Sequence, residues 1–372
     1  RPQQVVKKIF AAAGLDLRRK NPRTPATSYY NLGFEIDESD IGSYQRAADF
    51  LNANKIDVVS VQHEYGIFGG KAGNYLLTLL RKLRMPIVTT VHTILGKPDS
   101  MQRRAMNEIA RLSRRLVVMS AHGAALLHNV HGVPEHKIDI IPHGIPSVPF
   151  AGRSKKELGI EGKSVILTFG LLSPDKGIEH VIDALPAILA RHPDTVYVVL
   201  GATHPHIKER YGESYRESLE RRAQAVGVDS SVIFHNRFAS RGELVKFLSA
   251  ADIYVTPYLN PEQSTSGTLA YAVGSGKAVI STPYLYAREL LADGRGILVP
   301  WRDSQTIARA VVDLLSDDEK RLALCARAAA HGRGMLWPAV ARCYVQSFER
   351  ACSRRRPAPR VSRALTMHAR HV

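Results

Sequence analysis

Short apolar runs alternate with amphipathic segments along most of the chain. Ten runs of three to five residues are largely apolar on both faces, as strands inside a parallel sheet are. They are Val58–Val61, Ile87–Val91, Leu116–Met119, Ile138–Ile141, Val165–Phe169, Val196–Leu200, Val232–Phe234, Ile253–Val255, Ala278–Ile280 and Ile297–Val299. Helical periodicity fills the intervals, as in Ile178–Arg191 and Leu219–Val226. The pattern predicts an α/β protein built from two doubly wound parallel sheets.

A segment with three prolines and a glycine, Pro142–Phe150, interrupts this alternation and is typical of a linker. Because ligands of doubly wound sheets bind beyond the carboxyl ends of the strands, we expect the site in a cleft between two domains. The predicted division is a basic irregular segment 1–30, a first Rossmann-like domain 31–145, a linker 146–162, a second Rossmann-like domain 163–335, a crossing helix 336–352 and a basic disordered tail 353–372.

The balance of charge needs an explanation, since the 372 residues carry a formal net charge of +17. Basic residues cluster in an amphipathic stretch, Val5–Lys20, and around Arg81–Arg84 and Arg103–Arg115. Contact with anionic lipid, nucleic-acid binding and a solvated charged face are all open interpretations. No nucleic-acid-binding motif is visible, which favours lipid over nucleic acid as a partner. No apolar run reaches the roughly 18 residues that a membrane span needs.

One turn has the composition of an anion site. Ser264–Thr268 follows the apolar run Ile253–Val255 and opens a helix of small residues. Free backbone N–H groups and the positive end of the helix dipole would meet a phosphate there. Lys176, at a second strand-to-helix turn, would add a cation. An ordinary capped helix and a solvated lysine are the alternative interpretations.

Other familiar binding motifs are absent. Gly274–Gly276 lacks the rest of a dinucleotide fingerprint, and Gly69–Ala72 lacks the Ser or Thr that ends a P-loop. The sequence shows no Asp-x-Asp at a strand end and no His/Cys cluster with the spacing of metal ligands. We therefore expect no metal and no bound cofactor.

Several motifs together resemble the family 4 (group 1) glycosyltransferases of the GT-B fold, over residues 34–350. The segments that carry the resemblance are Val91–Thr93, Ile141–Ile145, Phe169–Gly177, Ala251–Tyr258 and Gln263–Ile280. The bacterial members with a Gln-His-Glu-Tyr-Gly-Ile-Phe-Gly-Gly motif, here Gln62–Gly70, are the most similar.

The resemblance implies a retaining glycosyltransferase that moves a hexose from a nucleoside-diphosphate sugar to a glycan or lipid-linked acceptor. It implies that Lys176 binds the diphosphate, that His92 lies near the transferred sugar, and that Gln263 contacts that sugar. It also implies donor-binding roles for Gly170 and for Ser264, Thr265, Ser266, Gly267 and Thr268. His63, Glu64 and His143 correspond to positions on the acceptor side. A cytoplasmic protein at the inner face of the cell membrane is expected.

This chain departs from the family pattern at the donor site. Leu171 stands where the family usually has an arginine, and Gln263 and Tyr271 stand where it has two glutamates. Glu262 is adjacent to the first of these positions, and Arg237 is a candidate substitute for the arginine. We expect a variant set of donor contacts, in which Gln263 bonds sugar hydroxyls and Tyr271 meets the ribose.

The family's first strand and glycine loop have no counterpart before Phe34, so the first domain is expected to be incomplete. Two alternative functions follow. One is a non-catalytic or truncated relative that binds nucleotide or glycan. The other is a basic membrane-surface binding protein.

Overall fold

A five-stranded sheet organises the first half of the chain in this computed structural model, which describes the backbone of residues 10–13 and residues 36–54, 56–148 and 154–353. Its strands, in spatial as well as chain order, are β1 (Phe10–Ala13), β2 (Ile56–His63), β3 (Ile87–Val91), β4 (Arg115–Val118) and β5 (Ile138–Ile140). β2 to β5 are parallel, whereas β1 pairs antiparallel with β2.

β1 differs from the sequence prediction, because residues 10–13 lie within the stretch expected to be a basic helix. The outer edge of β2 offers unpaired N–H and C=O groups, and a strand satisfies them where a helix cannot. The remainder of Val5–Lys20 and tail residues 354–372 lie outside the described residues.

Four helices cover one face of this sheet. They are α1 (Ile41–Ala53), α2 (Leu76–Lys82), α3 (Ser100–Leu112) and α4 (Ala121–His131). Buried side chains such as Leu51, Leu79 and Met106 fill the layer between these helices and the sheet. The strands are buried on both faces, which explains their continuous apolar runs.

The second sheet has six parallel strands in the order β11-β10-β9-β6-β7-β8. They are β6 (Ser164–Phe169), β7 (Thr195–Leu200), β8 (Val232–His235), β9 (Ile253–Thr256), β10 (Ala278–Ser281) and β11 (Ile297–Leu298). The chain proceeds outward in one direction from β6 and in the other from β9. The crevice beyond these two strands is therefore the topological switch point, where ligands of such sheets bind.

Helices cover both faces of this second sheet. They are α5 (Ser154–Glu157), α6 (Ile178–Leu189), α7 (Pro205–Tyr211), α8 (Ser214–Ala225), α9 (Arg241–Ala250), α10 (Gly267–Gly274), α11 (Leu285–Leu290), α12 (Ser304–Ser316) and α13 (Asp318–Gly332). One apolar layer includes Leu248 and Val273, and the layer on the opposite face includes Leu185 and Val311. α5 falls inside the expected linker 146–162, of which residues 149–153 are not described.

The last helix, α14 (Trp337–Cys352), returns to the first sheet. Its Val340 and Ala351 pack with Val58, Val88 and Val117 on the sheet face opposite α1 to α4. At the crossing, Ile145 donates a backbone hydrogen bond to Met335, and Trp337 donates one to Ile145. The chain therefore passes twice between the two sheets.

The prediction of two Rossmann-like domains is confirmed by this architecture. Each of the ten apolar runs overlaps a strand, and the ends of run and strand differ by at most two residues. Contiguous burial on both faces produces the pattern, so the sequence alone was sufficient to find these strands.

Candidate functional site

The candidate residues lie where the carboxyl ends of the two sheets face each other. His63 ends β2, His92 follows β3, and His143 follows β5. From the second sheet, the loop after β6 contributes Lys176 and the loop after β9 contributes Ser264–Thr268. A hydrogen bond joins the two domains directly, since Thr265 Oγ1 donates to the carbonyl oxygen of His92 over 2.7 Å.

His92 is held by a chain of side-chain hydrogen bonds. Its Nε2 lies 2.9 Å from Oε1 of Gln62, and Nε2 of Gln62 donates to Thr90 Oγ1 over 3.3 Å. Thr90 Oγ1 in turn lies 3.1 Å from the hydroxyl of Tyr344 on α14. Burial and the neighbouring His143 lower the pKa of His92 to about 4, so the ring is neutral at pH 7. With Nε2–H donated to the Gln62 oxygen, Nδ1 keeps a free lone pair.

His63 and Glu64 differ in accessibility although they are adjacent. The His63 side chain is fully buried between Tyr65 and Phe68, and neither ring nitrogen has a hydrogen-bond partner among the described residues. Glu64 is half-buried and accepts a 2.9 Å hydrogen bond from Thr93 Oγ1. Burial raises the pKa of Glu64, although its hydrogen bonds oppose that shift.

α10 begins with unused backbone donors. Its N-cap, Ser266, accepts from Leu269 N over 3.2 Å and lies 3.1 Å from Thr268 Oγ1. Within the described chain, the N–H groups of Gly267 and Thr268 donate to no protein acceptor. Ser264 and Ser266 are buried, and Thr265 is half-buried. The turn thus presents the free amides and dipole that bind an anion.

His143 packs directly against this helix start. A Cβ on Gly267 would lie 3.1 Å from Nε2 of His143, so a side chain there would crowd the ring. His143 Nδ1 lies 3.0 Å from the carbonyl oxygen of Gly144, which can only accept. Nδ1 therefore carries the proton, and Nε2 beside Gly267 is an acceptor. Tyr271, half-buried on α10, meets the ring edge-on at 6.0 Å, and burial raises its pKa.

Lys176 reaches the same region from the other turn. Its Nζ lies 3.8 Å from the centre of the Tyr258 ring, and the Tyr258 hydroxyl lies 2.8 Å from Thr268 Oγ1. Burial alone would raise the pKa of Tyr258, but the Lys176 ammonium and the Thr268 hydrogen bond hold it below its usual value. No ion pair of Lys176 occurs among the described residues, so its charge is available to a ligand.

Two glycines bring the turns together. Gly177 has φ of +63°, and a Cβ there would lie 2.2 Å from the carbonyl oxygen of Pro257. Gly170 has φ of +131°, and its Cβ would lie 3.1 Å from the methyl group of Thr268. Side chains at either position would separate Lys176 from the α10 N-terminus.

Gln263 and the adjacent Glu262 make different contacts. Gln263 Nε2 donates to the carbonyl oxygen of Thr265 over 2.9 Å, which stabilises the turn and leaves Oε1 available. Glu262 is exposed and faces the first domain, since its Oε2 would lie 3.4 Å from a Cβ on Gly96.

Leu171 and Arg237 contribute differently to the site. Leu171 is half-buried in the loop after β6, next to Gly170. Arg237 is paired over 2.6 Å with Glu243, at the exposed start of α9, and within the described chain it forms no hydrogen bond with the other candidates. The structure therefore brings the candidates of the two turns together with His92 and His143, whereas the side chain of Arg237 binds Glu243.

Sequence analysis missed three contributors that act through their partners. Gln62 and Tyr258 orient His92 and Lys176. Glu289 of α11 accepts from the N–H groups of Ala121 and His122 over 2.7 and 3.1 Å, so a carboxylate of the second domain binds the start of α4 in the first. Gln62 lies within the Gln62–Gly70 motif and Tyr258 ends the Ala251–Tyr258 segment, whereas Glu289 lies in no motif of the sequence.

The described residues contain neither a metal-binding cluster nor a membrane-spanning helix. No group of three or more His, Cys, Asp or Glu side chains there could hold a metal ion. No helix in those ranges has the length and apolar content to cross a bilayer.

Two family models match the chain in succession. The model for Glycosyltransferase Family 4 matches residues 9–147, and that for Glycosyl transferases group 1 matches residues 151–331. The chain belongs to the group 1 glycosyltransferases. The boundary between the two models falls in the segment that joins the sheets, so each domain corresponds to one of them.

Curated relatives and solved structures agree with this assignment. The D-inositol 3-phosphate glycosyltransferase of Corynebacterium glutamicum (strain R) is 28% identical over 71% of this chain and 66% of its own length. The phosphatidyl-myo-inositol mannosyltransferase of Mycolicibacterium smegmatis is 26% identical over 71% of this chain and 65% of its own. The chain therefore spans just under two thirds of these relatives.

Among solved structures, Anabaena HepE in complex with UDP-glucose has a TM-score of 0.69 and 19% identity, covering 85% of this chain and 84% of its own. A glycosyltransferase from Rickettsia africae has a TM-score of 0.67 and 14% identity, covering 88% of this chain and 84% of its own. These likenesses establish the GT-B fold.

Proposed function

We propose that the protein is a hexosyltransferase that moves a hexose from a nucleoside-diphosphate sugar to a glycan or lipid-linked acceptor, with retention of anomeric configuration. One observation carries the proposal. The free amides of Gly267 and Thr268 and the unpaired Lys176 converge on one point of the second domain, and Thr265 joins that point to His92.

The chemistry follows from where charge develops. When the bond between the sugar and the diphosphate breaks, the leaving diphosphate gains negative charge. Amide dipoles and an ammonium that already point at it stabilise that charge without reorganisation. His92 and Gln263 would border the sugar, Tyr271 the ribose, and His143 the phosphate end. Glu64, which is half-buried and accepts from Thr93 beside His92, would face the acceptor.

The relatives support the substrate classes. Two are named for transfer to inositol phosphate or phosphatidylinositol, and HepE was solved with UDP-glucose. Contact with an anionic membrane surface stays a prediction from the basic sequence.

Calorimetry with UDP, GDP and ADP tests the donor site. One nucleotide is expected to bind, and Lys176→Ala is expected to weaken it by about 1.5–3 kcal/mol, the usual loss for a charged hydrogen bond. Lys156→Ala, which removes an exposed lysine of α5, is the matched control and should bind normally. Failure of all three nucleotides to bind at millimolar concentration would refute the proposal.

Binding alone does not separate an enzyme from a non-catalytic relative. The same nucleotide's sugar conjugates are therefore incubated with the protein, and release of the nucleoside diphosphate is measured. Turnover that is lost in Lys176→Ala supports the transferase. Tight binding without turnover for any sugar or acceptor would favour the non-catalytic alternative.

A further inference from the structure

A groove of about 1120 Å³ opens at the amino ends of β3 and β4, on the sheet edge opposite the candidate site. We call it the basal groove. Leu83, Pro86 and Ala351 are among its apolar lining residues. Seven cationic residues also line it: Arg81, Arg84, Arg111, Arg114, Arg115, Lys137 and Arg350.

Two carboxylates neutralise part of this charge. Glu108 binds Arg81 and Arg111, and Asp139 binds Arg115 and Arg350. Arg84 and Arg114 are exposed, and their guanidinium groups bind no carboxylate among the described residues. An excess of five positive charges therefore remains around the groove.

Helix dipoles explain only a small part of this excess. The carboxyl ends of α2, α3 and α14 lie beside the groove, and cations are stabilising at such ends. Each end is equivalent to roughly half a negative charge, so three ends supply about −1.5. More than three positive charges are still uncompensated.

The undescribed parts of the chain offer little to neutralise the groove. They contain only two carboxylate side chains, Asp16 and Glu35, and three arginines, Arg354–Arg356, directly follow the last described residue. Lys137 is half-buried, and burial together with nearby Arg114 lowers its pKa. Like charges are thus held together in a recess, an arrangement that an anion would stabilise.

The position of the groove favours a phosphate from a soluble molecule over one from a lipid headgroup. β3 has five residues and is about 17 Å long, so a bilayer against the groove would hold the candidate site at least that far from the lipid. A lipid-linked acceptor could not then enter directly. A recess with a partly apolar floor also fits a compact solute better than a flat membrane.

We propose that the basal groove is a second anion site, which binds a soluble small molecule with two or more phosphoryl groups through Arg84 and Arg114. Their planar guanidinium groups can each donate two parallel hydrogen bonds to phosphate oxygens. The ion-paired arginines at either side add to the field. The site is separate from the donor site and does not depend on the proposed transferase activity.

Calorimetry with inorganic tripolyphosphate at low ionic strength tests the proposal. Because this anion can also bind near Lys176, all proteins carry Lys176→Ala. Adding Arg84→Gln and Arg114→Gln is expected to weaken the remaining binding about tenfold or more, the effect of about 1.4 kcal/mol. The matched control adds Arg104→Gln and Arg221→Gln, which remove two exposed arginines outside the groove and should bind as the parent does.

Three outcomes would overturn the proposal. The first outcome is that tripolyphosphate fails to bind at millimolar concentration. The second is that both double variants lose affinity equally, which would indicate a diffuse charge effect. The third outcome is measured by sedimentation with phosphatidylglycerol and phosphatidylcholine vesicles. Binding to phosphatidylglycerol that requires Arg84 and Arg114, without binding of tripolyphosphate, would identify a lipid surface in place of a soluble ligand. Circular dichroism melts of both variants establish that each is folded.

Discussion

At the carboxyl end of β2, His63 shows how a single side chain can make the fold sensitive to pH. Its ring is fully buried and lacks hydrogen-bond partners in the described structure, and burial and His92 lower its pKa to about 4. In the unfolded chain the pKa is 6.5. Between these values the unfolded state binds a proton that the folded state does not, so stability falls as the pH falls.

His63→Phe should remove this dependence. The depressed pKa corresponds to a difference of about 3 kcal/mol in the free energy of unfolding. This stability is present above about pH 6.5 and is lost progressively towards pH 4. The phenylalanine ring can pack between Tyr65 and Phe68 without an unpaired nitrogen. Urea unfolding from pH 7 to 4 measures the effect, with exposed His206→Gln as the control. Equal pH dependence in wild type and His63→Phe would contradict the prediction.

At the scale of elements, one carboxylate provides several of the polar contacts between α14 and the first sheet. Asp139 at β5 binds Arg115 of β4, and it accepts hydrogen bonds of 2.7 Å from Ser347 and 2.8 Å from Arg350 of α14. Burial would raise the pKa of Asp139, but these partners together hold it below its usual value. Because α14 also carries Tyr344, this contact supports the hydrogen-bond chain to His92.

Asp139→Asn should loosen α14. The loss is expected at about 2–3 kcal/mol, less than the 3–5 typical of a fully buried pair, because Arg350 is half-exposed. Since the folded pKa is depressed, the contribution is present above about pH 3.8 and disappears as the pH falls through the folded value. Denaturant unfolding at pH 7 measures it. Asp313→Asn, which removes the exposed ion pair with Lys320, is the control and should change stability little. A similar loss of stability in Asp139→Asn and Asp313→Asn would contradict the role given to Asp139.

At the scale of the whole molecule, the two edges of the first sheet have different roles. The carboxyl edge faces the second domain, and contacts from Thr265 and Glu289 hold the halves together. The amino edge carries the basal groove. The charge of +17 is therefore concentrated partly on a surface away from the candidate site.

If the protein transfers sugar as proposed, the reaction should not require a divalent metal. Lys176 and the amides at the start of α10 can neutralise the leaving diphosphate. Release of the nucleoside diphosphate is expected to continue in EDTA at an unchanged rate. Loss of activity on chelation, with recovery on adding Mn²⁺ or Mg²⁺, would show that the diphosphate is stabilised by another route.

Local sequence was sufficient for the strands, the two domains and the turn that starts α10, while anion binding at that turn stays a prediction. Each of these depends on neighbouring residues: burial on both faces gives an unbroken apolar run, and a Ser-Gly-Thr turn before small residues starts a closely packed helix. Gly170 and Gly177 lie in the Phe169–Gly177 motif of the sequence, but only the structure shows that a Cβ on either glycine would meet Thr268 or Pro257.

Tertiary structure alone decided the contacts between residues far apart in the chain. Thr90 and Tyr344 meet because α14 crosses back to the first sheet, and Glu289 reaches α4 because the domains face each other. The arginines of the basal groove come from the ends of α2, α3 and α14, the start of β4 and the loops before β3 and β4, which the topology gathers at one edge. Periodicity records which side of its own element a residue lies on. It carries no information on which distant element covers that side, because strand order and domain packing select the partner.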